Sequence, residues 1–226
     1  METTDTKTHL LDVAEHLFAE HGIDATSLRK ITSRANVNLA AVHYYFGSKE
    51  GLVQAIFARR LDPLNADRLR RLNASETAAG DTPPLVEDLV EAFIDPALKR
   101  LRKRESKHFM KLMGRIYSDP SEMHEVIHTR FLEVGRRFIT AFGRALPHLP
   151  HEELVSRFKF LVGAMVMVLV DPLSGENAPP TLAETHCDLI TKETPLNHFV
   201  TFLSAGMRAP CSVPASPEIQ DEGVPP

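Results

Sequence analysis

Nowhere along its 226 residues does this chain alternate apolar and polar side chains for long enough to make a strand. Apolar residues recur instead at intervals of three and four, so helices are expected almost throughout. Leu10, Val13, Ala14, Leu17 and Phe18 mark a one-faced helix from about Lys7 to His21, and Gly22 follows where a left-handed cap is least strained without a Cβ. Thr26 and Ser27 offer N-cap hydroxyls to a short helix, Leu28 to Ala35. Asn36-Val37-Asn38 connects it to a second short helix, Leu39 to Tyr45. Gly47-Ser48 then breaks the chain before a longer helix that starts at Lys49.

The small, polar, Pro- and Gly-marked stretch from Asn73 to Pro84 reads as a domain boundary. Helical patterns follow at Leu85 to Lys103, Ser106 to Tyr117, Ser121 to Leu146, His151 to Val170, Thr181 to Ile190 and Pro195 to Met207. Pro96 removes a backbone donor and is expected to kink or interrupt the first of them. Residues 209–226 carry five prolines and no period, and are expected to be a disordered tail. The expected architecture is all-α, with a helix-turn-helix domain at 7–65 and a second helical domain at 84–208.

Hydrophobic residues at 43% and charged residues at 25% leave enough apolar surface for a core, which excludes a disordered or fibrous chain. The net charge is −4, so nucleic-acid binding requires a local patch. Residues 25–60 supply one: six basic residues against Glu50 give +5, whereas residues 73–226 hold 16 basic and 21 acidic residues. Arg59, Arg60, Arg68, Arg70 and Arg71 are expected to form a solvated helix surface. Two cysteines are too few for a disulfide framework; Cys187 is expected as a small buried hydrophobe and Cys211 as an exposed thiol. Residues 1–9 have no apolar core, and the longest apolar run, Phe160 to Val170, is 11 residues against the ~18–20 that span a bilayer. A cytoplasmic protein with no membrane partner is expected.

Two short helices around a three-residue turn are the helix-turn-helix signature. Its first helix braces the unit across the phosphates, and its second enters a major groove about 12 Å wide. Ile31 and Val42 are placed to bury between the helices, and Tyr45 and Phe46 belong to the core. That leaves Asn38, Leu39, Ala40, Ala41, His43 and Tyr44 for the exposed end and outer face of the second helix. Small side chains there allow close approach to base edges, with Asn38 and Arg29 expected to read sequence, while His43 and Tyr44 can reach phosphates. Lys49 opens a helix, where backbone N–H groups add to its charge in holding a phosphate.

Thr26-Ser-Leu-Arg-Lys-Ile and Val37-Asn-Leu-Ala-Ala-Val-His-Tyr-Tyr-Phe-Gly-Ser-Lys-Glu-Gly-Leu52 together resemble the N-terminal domain of tetracycline-repressor (TetR) family regulators. The resemblance covers about residues 7–65, and Phe-Gly-Ser-Lys-Glu after an aromatic pair is its most specific part. It implies double-stranded DNA as a partner, with Ser27, Arg29, Asn38, Leu39, Ala40, His43, Tyr44 and Lys49 on DNA-contacting positions. His43 departs from the tyrosine usual there. Val37-Asn-Leu-Ala-Ala-Val with Ala205-Gly-Met-Arg-Ala209 further resembles a branch whose members respond to fatty acids or their CoA thioesters. The implied function is a homodimeric repressor released from a palindromic operator by a small apolar ligand, with a long-chain fatty acid or acyl-CoA as that ligand.

Residues 106–170 are rich in Phe and Met, whose flexible thioethers suit variable apolar ligands. Phe109, Met113, Tyr117, Phe131, Phe138 and Met165 are the candidate pocket lining. Arg115 is either the cation for an anionic head group or an exposed arginine on the outer face. Phe158, Val162, Phe199 and Leu203 are the candidate dimer contacts, because helices His151–Val170 and Pro195–Met207 carry more apolar surface than one protomer hides and the last helix has no later element to cover it. His124-Glu-Val-Ile-His128 matches H-E-x-x-H, but Ile127 falls in the apolar stripe and a third ligand is wanting, so two helix-surface histidines are expected. No nucleophile elbow, P-loop or dinucleotide fingerprint occurs, and no catalytic residue, metal or cofactor is expected. The alternative to a regulator is a helical carrier of apolar molecules without specific DNA binding, which has no need of the +5 segment.

Overall fold

A computed structural model of the chain describes residues 3–101, 103–118, 123–170 and 196–211, excepting the side chains of 3–5, 101, 104, 117–118, 123–128 and 170. Among the described residues there is no strand. The helices in chain order are α1 (Thr3–His21), α2 (Leu28–Ala35), α3 (Leu39–Phe46), α4 (Lys49–Ala79) and α5 (Val86–Leu101). After a 3-10 turn (Arg104–Ser106) come α6 (Lys107–Ser118), α7 (Met123–Ala145), α8 (His151–Val170) and α9 (Leu196–Arg208). The expected helix at Thr181–Ile190, the expected tail beyond Cys211, Cys187, and the side chains of Tyr117, His124 and His128 all lie outside the described residues.

Two expectations about breaks are corrected. The stretch read as a boundary from Asn73 is helical as far as Ala79, because its Ala, Ser, Glu and Thr tolerate a helix and only Gly80, at φ 60°, ends it. Arg137 secures this end of α4 by donating to Asn73 Oδ1 (2.8 Å) and Glu76 Oε2 (3.0 Å). Of the kink or interruption expected at Pro96, the interruption does not occur: α5 runs through Pro96 as α4 runs through Pro63.

Leu10, Ala14 and Phe18 of α1, Ile31 of α2, Val42 of α3 and Leu52 and Ile56 of α4 are wholly buried together. Each large side chain buried this way contributes about 1.5–3 kcal/mol. Gly22 takes φ 85° after α1, and Asn36, at φ 53°, caps α2 in the left-handed region. Gly51 has a different necessity: a Cβ there would lie 2.0 Å from the Phe46 carbonyl oxygen, so only glycine lets the start of α4 pass the end of α3.

The first three helices are tied to the rest by charged groups that periodicity placed on the surface. Glu15, only 3% exposed, accepts from Arg59 Nη2 (2.8 Å) and Arg60 Nη2 (2.6 Å), fastening α1 to α4. Arg60 also donates to the Glu105 carbonyl at 2.9 Å. Arg71 reaches the buried Asp95 at 2.9 Å, and Arg68 is itself fully buried. Of the five arginines expected to be solvated, Arg70 is the well-exposed one (70%). On the other side of α1, Arg115 of α6 donates to the carbonyls of Ala19 (3.1 Å) and Glu20 (2.9 Å), satisfying α1's C-terminal turn. His108 of α6 meets His16 of α1 ring nitrogen to ring nitrogen at 3.0 Å; burial, then the neighbouring His16, hold the His108 imidazole below its ordinary range.

One face of the last helix is covered within the chain, and it is the face that carries Leu203, expected to point outward. α9 packs on α5 and α8, burying Val200, Leu203 and Met207, while Phe199 is half-buried. Arg208 clamps Glu87 of α5 through both carboxylate oxygens and holds that carboxyl below the usual range. Cys211 is half-buried against the core. What α8 and α9 leave outside is a different set: Phe160 (72% exposed), Met167 (64%) and Phe202 (71%).

Candidate nucleic-acid interface and ligand cavity

Three hydroxyl or amide side chains build the local geometry of the helix-turn-helix. Ser27 Oγ accepts from Lys30 N (3.2 Å), Asn38 Oδ1 from Ala41 N (2.9 Å) and Ser48 Oγ from Gly51 N (3.1 Å), so each caps the helix that follows it. Thr26, expected as a cap, is buried and donates to the Gly22 carbonyl at 2.7 Å. Asn38 therefore has its oxygen engaged at the start of α3, and this is a stability role that the base-reading expectation did not include.

The outer face of α3 is open. Tyr44 is 81% exposed with its ring edge-on to Tyr45, Leu39 and Ala40 are exposed, and Ile31 and Val42 are buried beneath. His43 donates from Nδ1 to the Gly47 carbonyl (2.8 Å), which leaves Nε2 as the ring nitrogen for an outside partner. Arg29 is exposed on α2. Lys49 donates from Nζ to the Asp24 carbonyl at 3.4 Å, so its ammonium lies at the junction of the α1–α2 turn and the start of α4. These residues form a short exposed ridge on a packed base, with Arg29 exposed and Lys49 half-buried as its cations.

A cavity of about 700 Å³ opens in the other half, within the ~300–1,000 Å³ usual for small-molecule sites. α4, α5, α6, α7 and α8 all contribute to its wall. Phe109, Met113, Phe131 and Met165 line it as the sequence implied. Phe138 does not: it is wholly buried behind the wall, 5.1 Å edge-on to Phe93. Arg115 is not there either, being committed to the end of α1, so the outer-face alternative describes it. Phe158 and Val162, expected at a dimer seam, line the cavity: Phe158 is buried against Phe138 and Phe142 of α7, and Val162 is half-buried.

The residue that sequence reasoning missed is Arg68. Its guanidinium lies in the cavity wall, fully buried, 3.9 Å above the Phe93 ring. Nε donates to the Phe93 carbonyl (2.8 Å), Nη1 to Asn65 Oδ1 (3.3 Å) and Nη2 contacts Met165 Sδ (3.3 Å). A signal existed: Arg68 falls seven residues after Leu61 and four before Leu72, on the buried stripe of α4.

Residues 10–56 match the family model for bacterial regulatory proteins of the tetR family, and residues 91–206 match that of a tetracyclin repressor-like C-terminal domain. The chain is 34% identical over 165 residues to the HTH-type transcriptional regulator BetI of Burkholderia mallei, covering 70% of this chain and 78% of that one. It is 28% identical over 148 residues to the regulator SrpR of Pseudomonas putida, covering 65% of this chain and 62% of SrpR's length. Its fold is similar to that of the ketosteroid transcriptional regulator KstR2 of Mycobacterium tuberculosis, with TM-score 0.57 and 17% identity over 91% of this chain and 96% of the other.

The cap assignment yields a first prediction. Asn38→Ala lowers stability by about 1 kcal/mol, and Asn38→Ser, which keeps an acceptor, restores most of it. Urea melts of the three proteins check this, and an unchanged midpoint for the alanine variant contradicts the capping role.

Proposed function

Because this chain belongs to the TetR family of bacterial transcriptional regulators, DNA-binding proteins that act as dimers, we propose that it is a ligand-responsive repressor. In this reading it leaves a palindromic operator when a small apolar ligand fills the cavity. One observation carries it: the exposed ridge on α3 and the cavity share a single helix, α4, whose Ser48 cap follows the recognition helix and whose Leu61, Leu64 and Arg68 line the pocket. Residues 7–65 then act as the DNA-binding part and 84–208 as the ligand-binding and dimerisation part, with α4 spanning both.

At the DNA, α3 enters the major groove, with Leu39 and Ala40 against base edges and Tyr44, His43 and Lys49 toward phosphates. Arg29 and Ser27 approach from the start of α2. A ligand acts only through its different affinity for the DNA-competent and incompetent arrangements of α4 and α6. Arg115 belongs to that coupling, since α6 carries Phe109 and Met113 in the cavity wall and Arg115 at the end of α1.

Lys49→Ala tests the DNA contact. Fluorescence anisotropy against salt should show weaker binding to selected and random duplexes alike, with the salt slope reduced by about one. A loss confined to one sequence contradicts a phosphate role.

The dimer is proposed through the face that α8 and α9 leave open. Phe160 and Met167 lie seven residues apart on α8, Phe202 precedes Gly206 on α9, and a Cβ at Gly206 meets nothing within 4 Å. Large side chains beside small ones let a second copy of the same face interdigitate. Phe160→Glu with Phe202→Glu should give monomers that no longer hold a palindromic site. Sedimentation showing a dimer of the double variant moves the interface elsewhere.

For the ligand, the apolar wall suits a long aliphatic chain, in the manner of a fatty acid or acyl-CoA. About 0.8 kcal/mol per buried CH₂ makes release roughly fourfold more sensitive per carbon until the cavity is full. A C6 to C18 series titrated against the DNA complex measures this, and a flat response sinks the acyl-chain reading while leaving the regulator intact.

A further inference from the structure

Charge is distributed one way around the cavity. Among the described residues that line it there is no Asp or Glu, whereas Arg68, Arg136, Lys159 and His151 are all present. Their positions differ in depth. Arg68 is buried in the wall, but Arg136 and Lys159 are exposed, as are Leu132 and Thr140 of α7 and His151 of α8. Leu132, Arg136 and Thr140 succeed one another at intervals of four on α7, and His151, Val155 and Lys159 do the same on α8. Each set forms one helical stripe, and α7 packs against α8. The mouth of the cavity is thus a groove between two stripes, each with a cation, above a floor of Phe109, Met113 and Phe158.

An apolar cation entering this groove meets repulsion with no carboxylate among the described lining residues to offset it. An amphiphilic anion meets the opposite: its chain is desolvated below while its head stays at the water boundary between two cations. From that arrangement we infer a head-group subsite at the α7–α8 mouth, which takes the carboxylate or phosphate of an amphiphile whose chain fills the cavity. Arg136 and Lys159 are its charge partners and Thr140 its hydroxyl donor. The inference rests on the reading of the cavity as the ligand site, and it sets the ligand's direction, head outward and chain inward.

The test uses the full chain with the neutral dye Nile red in the cavity and four ten-carbon competitors: decanoate, decyl phosphate, decanol and decyltrimethylammonium. At low salt the two anions should displace the dye at concentrations about five- to tenfold below decanol, with the quaternary amine weakest. Which anion leads distinguishes a carboxylate from a phosphate head. Arg136→Gln with Lys159→Gln should bring both anions to the alcohol's level, while Arg136→Lys alone keeps their advantage. Both side chains are exposed, and a thermal melt verifies that the variants fold. Equal displacement by anion, alcohol and amine in the parent protein overturns the head-group subsite. Failure of Nile red and all four competitors to bind overturns the cavity reading itself, a separate result.

Discussion

The 31 residues of α4 form one run of helix, about 46 Å long at 1.5 Å per residue, and both halves of the molecule are arranged around it. Its first turn is fixed by Ser48 and by the contact of Gly51 with the end of α3. Its middle is held to α1 by the buried Glu15 between Arg59 and Arg60, and its later turns wall the cavity and meet Arg137 of α7. A helix is stiff along its axis, so a displacement at Arg68 cannot be absorbed locally in the way a loop absorbs one. In the proposed regulator this helix is the physical link between ligand and DNA, continuing through Pro63 although that residue has no N–H to donate.

Buried charge is the second theme. Glu15 with its two arginines, Asp95 with Arg71 and Lys99, and Arg68 over Phe93 all sit where apolar side chains would pack as well. Removing one member of such a cluster leaves the rest uncompensated in a poorly solvated place, which is far more destabilising than removing an exposed pair. These clusters all involve α4 and join it to α1 and α5.

α6 supplies a parallel connection. Phe109 and Met113 line the cavity, and from the same helix Arg115 and His108 reach the last turns of α1. The interaction is polar and partly exposed, hence weaker than the Glu15 cluster and easier to rearrange. A regulator needs both kinds of joint: one that holds the halves in register and one that yields.

Local signals lay open in the sequence wherever one residue's neighbours decide its structure. Gly22, Ser27, Ser48 and the apolar stripe of α1 act within a turn or two of chain, so the helix-turn-helix and the bounds of α2 and α8 were read directly, whereas the capping by Asn38 was not. Four of the cavity residues, Phe109, Met113, Phe131 and Met165, followed from the Phe and Met richness of 106–170, which could not separate them from Phe138 behind the wall. Only tertiary structure settled where the cations went. Arg68 and Arg115 are both arginines on amphipathic helices, and sequence spacing cannot say whether a partner carbonyl lies across the interface. The first found Phe93 and Asn65 inside, the second the end of α1 outside. The same holds for Phe158, Val162 and Leu203, whose stripes were legible but whose neighbours were not. A helix has several apolar flanks, and which one meets solvent depends on elements far away in the chain.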